Sequence, residues 1–270
     1  MDPITNERSG PSDQPPEYIV PECFTPYPEL VALQSTRKGG VSTGEYFSLN
    51  LGNNTGDDPD VVRQNTLRLC SAAGIDPERL VSSTQVHGTE ILNAVKPGRY
   101  NGYDAFITNR NNLFLSIFTA DCFPVLLYDP RNHAVAAVHA GWQGCAEQIV
   151  IKTIKAMERN FSSIPGECIA FIGTGISGNA YEVGPEVAGK FEPDCFRLAP
   201  QLQGEKKYLL DLGLVNYNQL IAAGVLASNI ERSQFCSLTH SDLFFSYRRD
   251  NGKTGRMVTL IGIRSPGRAG

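Results

Sequence analysis

The most apolar part of the chain runs from Leu113 to Gly144, LFLSIFTADCFPVLLYDPRNHAVAAVHAGWQG, and its few polar residues stand out against that background. After Pro124 the run PVLLYD leads into the turn-like DPRNH and then into AVAAVHA, two short strands joined by a tight reversal. An antiparallel hairpin centred between Pro130 and Arg131 pairs residues whose numbers sum to about 261, so Leu126 faces Val135, Pro124 faces Ala137 and Cys122 faces His139. Opposed residues share a face of the sheet with Cβ atoms about 5 Å apart, which brings a thiol and an imidazole together. A slip of one residue would place them on opposite faces.

Residues 1–16, rich in Pro, Ser and charge, read as a mobile tail, and residues 17–266 as a single domain. LVALQSTRKGGVSTGEYFSLNLG alternates like a strand before breaking into a loop at Gly39, Gly40 and Gly44. Arg37 stands at that junction, either as a surface charge beside a turn or as an anion contact next to glycines that let a backbone approach a ligand. Asp57, Asp58 and Pro59 open a helix in which Val62, Leu69 and Ala73 recur until Gly74 closes it. LVSSTQVHGTEILNAV reads as one strand with His87 in its middle, and YDAFITN and LFLSIFTADC as two more. Beyond Trp142 the period changes: Ala146, Ile149, Val150, Thr153, Ile154 and Met157 line one face of a helix beginning near Gly144. Its first amides would lie just past His139, a place favourable to an anion. ECIAFIGTGIS is a further strand, Pro185 opens a helix, and LLDLGLVNYNQLIAAGV forms another that ends near Gly224. LFFSYRRDNGKTGRMVTLIGIR reads as two strands around DNGKTG. Strands with interspersed helices and several hairpins give an α+β architecture, mixed sheets covered by helices.

With 270 residues the chain can bury about three quarters of its unfolded surface, and no linker or composition shift divides it. A net charge of -4 with 19% charged residues leaves no basic stripe, so nucleic acid is not an expected partner. No apolar run approaches the roughly 20 residues of a membrane helix, and MDPITNERSGPSDQPPEY has neither a basic start nor an apolar export segment; no membrane association and a cytoplasmic location are expected. The cysteines number seven, an odd count without regular spacing, which fits thiols in a reducing compartment rather than a disulfide framework. Cys23, Cys70, Cys145, Cys168, Cys195 and Cys236 read as small buried apolar groups.

Of the four histidines, His133 belongs to the DPRNH turn and His240 to a polar loop without a chemical partner. His87 and His139 each precede a glycine closely, and with Cys122 they offer two imidazoles and a thiolate, a three-ligand zinc set whose fourth position stays open. Their spacings of 35 and 17 residues match no compact zinc signature. A thiol facing an imidazole also suits a cysteine hydrolase or amidase with Cys122 as nucleophile and His139 as base.

STRKGGVSTGEYFSLNLG, GDDP, STQVHGTE, TADCFPVLLYDP, AVAAVHAGWQG, YEVG and FFSYRRD, ending in TGRM, resemble the family first labelled laccase-domain or polyphenol oxidase proteins. Its bacterial members include the peptidoglycan editing factor, and it is described as purine nucleoside phosphorylases with adenosine deaminase and methylthioadenosine phosphorylase activity. The likeness runs from about Ser35 to Met257. It implies a four-layer αββα, cysteine-hydrolase-like laccase-domain fold and a zinc held by His87, Cys122 and His139. The implied substrates are a purine nucleoside (adenosine, inosine or methylthioadenosine) and phosphate, and the bacterial members suggest a link to peptidoglycan precursor editing. Cys122, His139 and Asp121 would be catalytic, Asp121 by orienting a ligand or moving a proton; Arg37, Gln143, Gly144 and Arg248 would contact substrate, and Arg249 beside Arg248 would anchor phosphate or sit in a salt bridge. Copper fits less well, since a blue-copper centre alone uses two His and one Cys and leaves two histidines for any further cluster. The chain departs from its relatives at Gln143 and Thr66, where Arg is usual, and at Thr174 and Ala180, where Pro and Cys are usual. Losing an Arg at position 143 weakens phosphate binding more than hydrolysis, which makes deamination the firmer expectation. A binding protein without activity is the remaining alternative, and the sequence carries no signal for an oligomeric state.

Overall fold

Apolar runs bounded by turns become two six-stranded mixed sheets in the computed structural model, which describes residues 14–200 and 206–265. The first sheet has the order Tyr18–Ile19, Leu30–Ser35, Met257–Ile263, Phe114–Thr119, Leu80–Thr84, Gly98–Asn101, antiparallel up to Phe114–Thr119 and parallel beyond it. The second has the order Ile230–Arg232, Ile169–Ile172, Phe123–Asp129, Ala134–Ala140, Ala105–Thr108, Ile91–Asn93, with its two outermost pairs parallel and the rest antiparallel. The helices are α1 (Pro59–Ala73), α2 (Trp142–Ala146), α3 (Ile149–Phe161), α4 (Pro185–Ala188) and α5 (Leu212–Ala222).

Period-two alternation sends successive residues of each central strand to different cores. Leu126, Tyr128, Val135, Ala137 and Phe171 face the other sheet and meet Ala32, Val81, Leu115, Ile117 and Ile261. Val125, Leu127, Ala136 and Val138 face outward, against Ile149, Val150, Ile154 and Met157 of α3 and Leu212, Val215 and Leu220 of α5. On the far side Leu69, Cys70 and Ala73 of α1 cover Val31, Leu33, Val258 and Leu260. The layers are therefore αββα, as expected. Burial on both faces explains why these strands read as unbroken apolar runs. Among the described residues no helix is long and apolar enough to cross a membrane.

Several local expectations are corrected. The hairpin pairs Phe123 with Ala140, Pro124 with His139 and Leu126 with Ala137, two residues away from the expected register. Its reversal is centred between Arg131 and Asn132, where the Asp129 carboxylate accepts from both of their amides. A two-residue shift preserves the facing parity, so the convergence at His139 survives although Cys122 lies just outside the strand. LVSSTQVHGTEILNAV is not one strand: Leu80–Thr84 belongs to the first sheet and Ile91–Asn93 to the second, and His87, at a left-handed φ of 61°, lies in the crossing. The helix expected from Gly144 starts at Trp142 and is broken at Gln148, also left-handed at φ 62°. LFFSYRRD forms turns rather than a strand, because side chains replace a ladder: Asp121 accepts from the Arg248 amide, and Arg249 donates to the carbonyls of Ser237, Leu238 and Phe244.

Of the expected tail, residues 1–13 lie outside the described residues, while the Gln14 carbonyl accepts from Arg68. Gly40 allows a close approach, but to the chain itself: a Cβ there would collide with the backbone of Ser48 and Leu49. The loop is gathered by Asn65 of α1, fully buried, which accepts from the Val41 amide and donates to Ser42 Oγ and the carbonyls of Ser48 and Asn50. Asn65→Ala leaves the Val41 amide and the Asn50 carbonyl without that partner, while Ser42 Oγ keeps Asp57 and the Ser48 carbonyl keeps the Ser42 amide, a loss of about 1–3 kcal/mol. In urea unfolding followed by circular dichroism the midpoint is expected to fall at unchanged slope; an unmoved midpoint would contradict this role.

Candidate metal centre

Three donors from different parts of the chain meet at one end of the sandwich. His139 is buried on Ala134–Ala140, Cys122 is half-buried just before Phe123–Asp129, and His87 is exposed on the crossing loop. Their ligand atoms all lie within 4.8 Å of one another, the one such group of three found among the described residues. Cys122 Sγ is 3.9 Å from His87 Nε2, and the two imidazole rings meet edge to face at 4.8 Å. Gly141 leaves the space for this: a Cβ there would lie 2.9 Å from His87 Cδ2 and 3.1 Å from Cys122 Sγ.

Asp104, which belongs to none of the sequence motifs, organises the cluster. Its Oδ1 bonds His139 Nδ1 at 2.7 Å and accepts from the His87 amide at 3.0 Å. Its Oδ2 accepts from the amides of Val86 at 3.1 Å and Gly88 at 2.8 Å. The carboxylate thus holds Nδ1–H on His139 and leaves Nε2 for the cluster. The available signal was an aspartate opening YDAFIT, since Ala105, Phe106, Ile107 and Thr108 are all buried and a carboxylate at the head of such a run needs partners.

Zinc with bonds of about 2.3 Å to sulfur and about 2.0 Å to nitrogen, tetrahedrally arranged, requires donors about 3.5 Å apart. The Sγ–Nε2 separation of 3.9 Å is close to that. An imidazole whose second nitrogen donates to a carboxylate is the usual arrangement of a metal-ligating histidine. The donor set therefore fits zinc. Burial pushes the Cys122 thiol up, but the imidazoles of His139 and His87 more than offset this and bring its pKa to about 6. Burial likewise pushes His139 down, while the Cys122 thiolate and Asp104 raise it to about 9. In Cys70, Cys168 and Cys195 burial is unopposed in this way and the thiols rise, to about 11, 12 and 12. His133 is exposed in its turn, and His240 accepts from the Cys236 amide with its ring against Phe235, so neither joins the cluster.

The cluster borders a cavity of about 590 Å³ lined by aromatic side chains (Phe118, Trp142, Tyr181, Tyr247) and by Arg99, Arg248 and Arg256. Gln143 lines it; Gly144 does not and is buried beneath, with the Gly88 carbonyl 3.2 Å from where its Cβ would be. The helix start beside them belongs to the five-residue α2, so no long helix directs its amides at the cluster. Asp121 lines the cavity at a left-handed φ of 90°, and it also holds the Arg248 turn: Oδ1 accepts from Ser237 Oγ at 2.6 Å and Oδ2 from the Arg248 amide at 2.7 Å. Arg248 Nη1 donates to the Glu182 carbonyl at 2.8 Å. Arg37 is not among the lining residues; its guanidinium lies over the Phe245 ring at 4.5 Å and donates to the Ser241 carbonyl. Arg249 is held by Asp250 and by three carbonyls. Thr66 on α1 and Thr174, paired with Ser233, also lie outside the lining. Besides Asp104, sequence reasoning missed Arg99 and Arg256.

Two mixed sheets between helices, with His, Cys and His donors at the edge of an open cavity, define a laccase-domain fold with a site that can hold a metal. The chain belongs to the family described as multi-copper polyphenol oxidoreductase laccase, whose model matches residues 31–264. It is 40% identical over 256 residues to a Deinococcus radiodurans protein named purine nucleoside phosphorylase, covering 94% of each chain. It is 37% identical over 246 residues to the Escherichia coli protein named purine nucleoside phosphorylase YfiH, covering 90% of this chain and 97% of that one. Among solved structures, YlmD from Geobacillus stearothermophilus matches with a TM-score of 0.84 at 32% identity, over 89% of this chain and 94% of that one. The Bacillus licheniformis protein YfiH matches with a TM-score of 0.82 at 32% identity, over 87% and 93%.

Asp104→Asn replaces an acceptor of four bonds by a group that presents N–H to an amide or to the imidazole. Zinc affinity, measured by competition with a chromogenic chelator, is expected to fall about 10–100-fold. An unchanged affinity in the folded variant would remove Asp104 from the site.

Proposed function

We propose that this chain is a zinc-dependent enzyme acting on purine nucleosides, with phosphorolysis as its principal reaction. The carrying observation is the His87, Cys122 and His139 donor cluster opening onto a cavity that offers both aromatic faces and guanidinium groups. His87, Cys122 and His139 would hold the zinc, which would supply Lewis acidity to the reaction. Trp142, Tyr181, Phe118 and Tyr247 provide faces against which a purine and its ribose can pack. The cations provide for phosphate. In phosphorolysis a phosphate oxygen forms a bond to ribose C1′ while the C1′–N9 bond breaks, the electron pair leaving with the base, which takes up a proton. The names carried by the relatives, purine nucleoside phosphorylase in each case, support this reading.

Deamination of adenosine is a second reading for the same cavity, favoured by three metal donors in its lining; in that reaction water adds at C6 and ammonia leaves. A thiol nucleophile is the rival favoured by the Cys122 pKa of about 6. Copper-cluster oxidation has little to build on, because two of the four histidines lie elsewhere.

Protein purified without added metal is expected to carry about one zinc per chain. Cys122→Ala and His87→Ala should each lose the zinc, and with it about 100-fold or more of the activity. Full activity in His87→Ala, with Cys122→Ala inactive, would instead identify the nucleophile. Incubation with adenosine and inosine, with and without phosphate, resolves the reaction by chromatography. Free base and ribose 1-phosphate that require phosphate report phosphorolysis, and inosine formed from adenosine reports deamination. Absence of product under every condition would overturn the proposal.

A further inference from the structure

We infer that Arg256 is the principal phosphate ligand of this cavity; the inference rests on the phosphorolytic reading of the site. Arg256 directly precedes the central strand Met257–Ile263 and is fastened at its backbone, where its amide donates to Asn50 Oδ1 at 2.9 Å and its carbonyl accepts from Leu51 at 3.1 Å. The side-chain stem fills the room left by Gly52: a Cβ there would lie 2.6 Å from Arg256 Cγ. The guanidinium lies 5.6 Å from the Tyr247 ring centre, and Nη1 donates to the carbonyls of Thr254 at 2.8 Å and Gly255 at 2.9 Å.

A guanidinium has five N–H donors in a fixed fork. Two are used, so the N–H groups on Nε and Nη2 have no acceptor among the described residues. No carboxylate pairs with Arg256 there either. Asp121 is the sole carboxylate lining the cavity; one of its oxygens accepts from Ser237 and the other from the Arg248 amide, and it acts on Arg256 only through its charge, without an ion pair. Burial pushes the Arg256 pKa down, the sign of a cation short of solvent. Arg99 and Arg248 line the same cavity, each with a guanidinium nitrogen bonded to a neutral oxygen, of Asn54 and Glu182 respectively. A protein of net charge -4 thus gathers three guanidinium groups and a single carboxylate around one cavity. A partly desolvated guanidinium with unspent parallel donors matches a phosphate dianion, which accepts two such bonds at once.

The test uses the zinc-loaded full chain with Arg256→Gln and Arg256→Lys. The phosphate KM is expected to rise about 10–100-fold in the Gln variant and less in the Lys variant, which keeps a point charge but loses the fork. Zinc content should be that of the unsubstituted chain, and the nucleoside KM should stay within about twofold, whereas general damage would move all three. Direct binding is read separately: Trp142 is the only tryptophan in the chain and lines the cavity, so its fluorescence can be titrated with inorganic phosphate. Saturable binding that is lost in Arg256→Gln supports the inference even if no free base is ever produced, an outcome that would sink the phosphorolytic reading alone. Equal phosphate binding or equal phosphate KM in a folded, zinc-loaded variant would overturn it, as would an unsubstituted chain that binds no phosphate. Should the Gln variant not fold, the Lys variant decides by the same criteria.

Discussion

The buried carboxylate of Asp104 is the contact on which the rest of the site depends. Withdrawing an ionised carboxylate from water costs several kcal/mol unless good partners replace the solvent. Here one imidazole and three consecutive amides, those of Val86, His87 and Gly88, do so, and its pKa is lowered in spite of burial. Three successive amides converge on one anion only when the chain turns through a left-handed residue, forming a nest. His87 is that residue, in a conformation that disfavours an L side chain by about 1–2 kcal/mol. The same carboxylate therefore holds a strained loop, orients a ring on a neighbouring strand and sets where two candidate ligands stand relative to Cys122.

The location of this contact ties chemistry to architecture. The crossing loop leaves the first sheet after Leu80–Thr84 and enters the second at Ile91–Asn93, while His139 lies on, and Cys122 directly before, the strands of the central hairpin of that second sheet. The donors are consequently held by both halves of the sandwich, at its edge, where the cavity opens. On the other side of that cavity Asn65 and Asn50 tie the Gly39–Asp57 loop to α1 and to Arg256. Buried polar groups thus hold both the donor cluster and Arg256 in place.

Part of this was legible beforehand because local chemistry decides it. Asp58 and Pro59 open α1 and Gly74 closes it in a left-handed cap, as their side chains require. The hairpin strands were recognisable from apolar runs around a polar turn, and the shift of two residues arose because a run says where strands lie and not how many residues the reversal consumes. Since side-chain parity has period two, that error left Cys122 and His139 on converging sides. By contrast LFFSYRRD alternates like a strand but has its backbone satisfied by Asp121 and Arg249, contacts that no periodicity records. Arg37 looked like an anion contact beside glycines; the aromatic ring that receives it, Phe245, is more than 200 positions away.

By itself the sequence determined the α+β composition, the short-range caps and turns, and, through its motifs, the His, Cys and His donor set, because these depend on residue type and near neighbours. Only the tertiary structure decided that Asp104 binds two of those donors into one geometry, that Asp121 holds the Arg248 turn, and that Arg256 rather than Arg37 stands in the cavity wall. The reason is physical: whether a charged group is available or consumed depends on which distant backbone amides and carbonyls reach it, and folding sets those partners through contacts far apart in the chain. The opening stretch from Leu113 to Gly144 carried the thiol and one imidazole, and the partners that make them a site came from outside it.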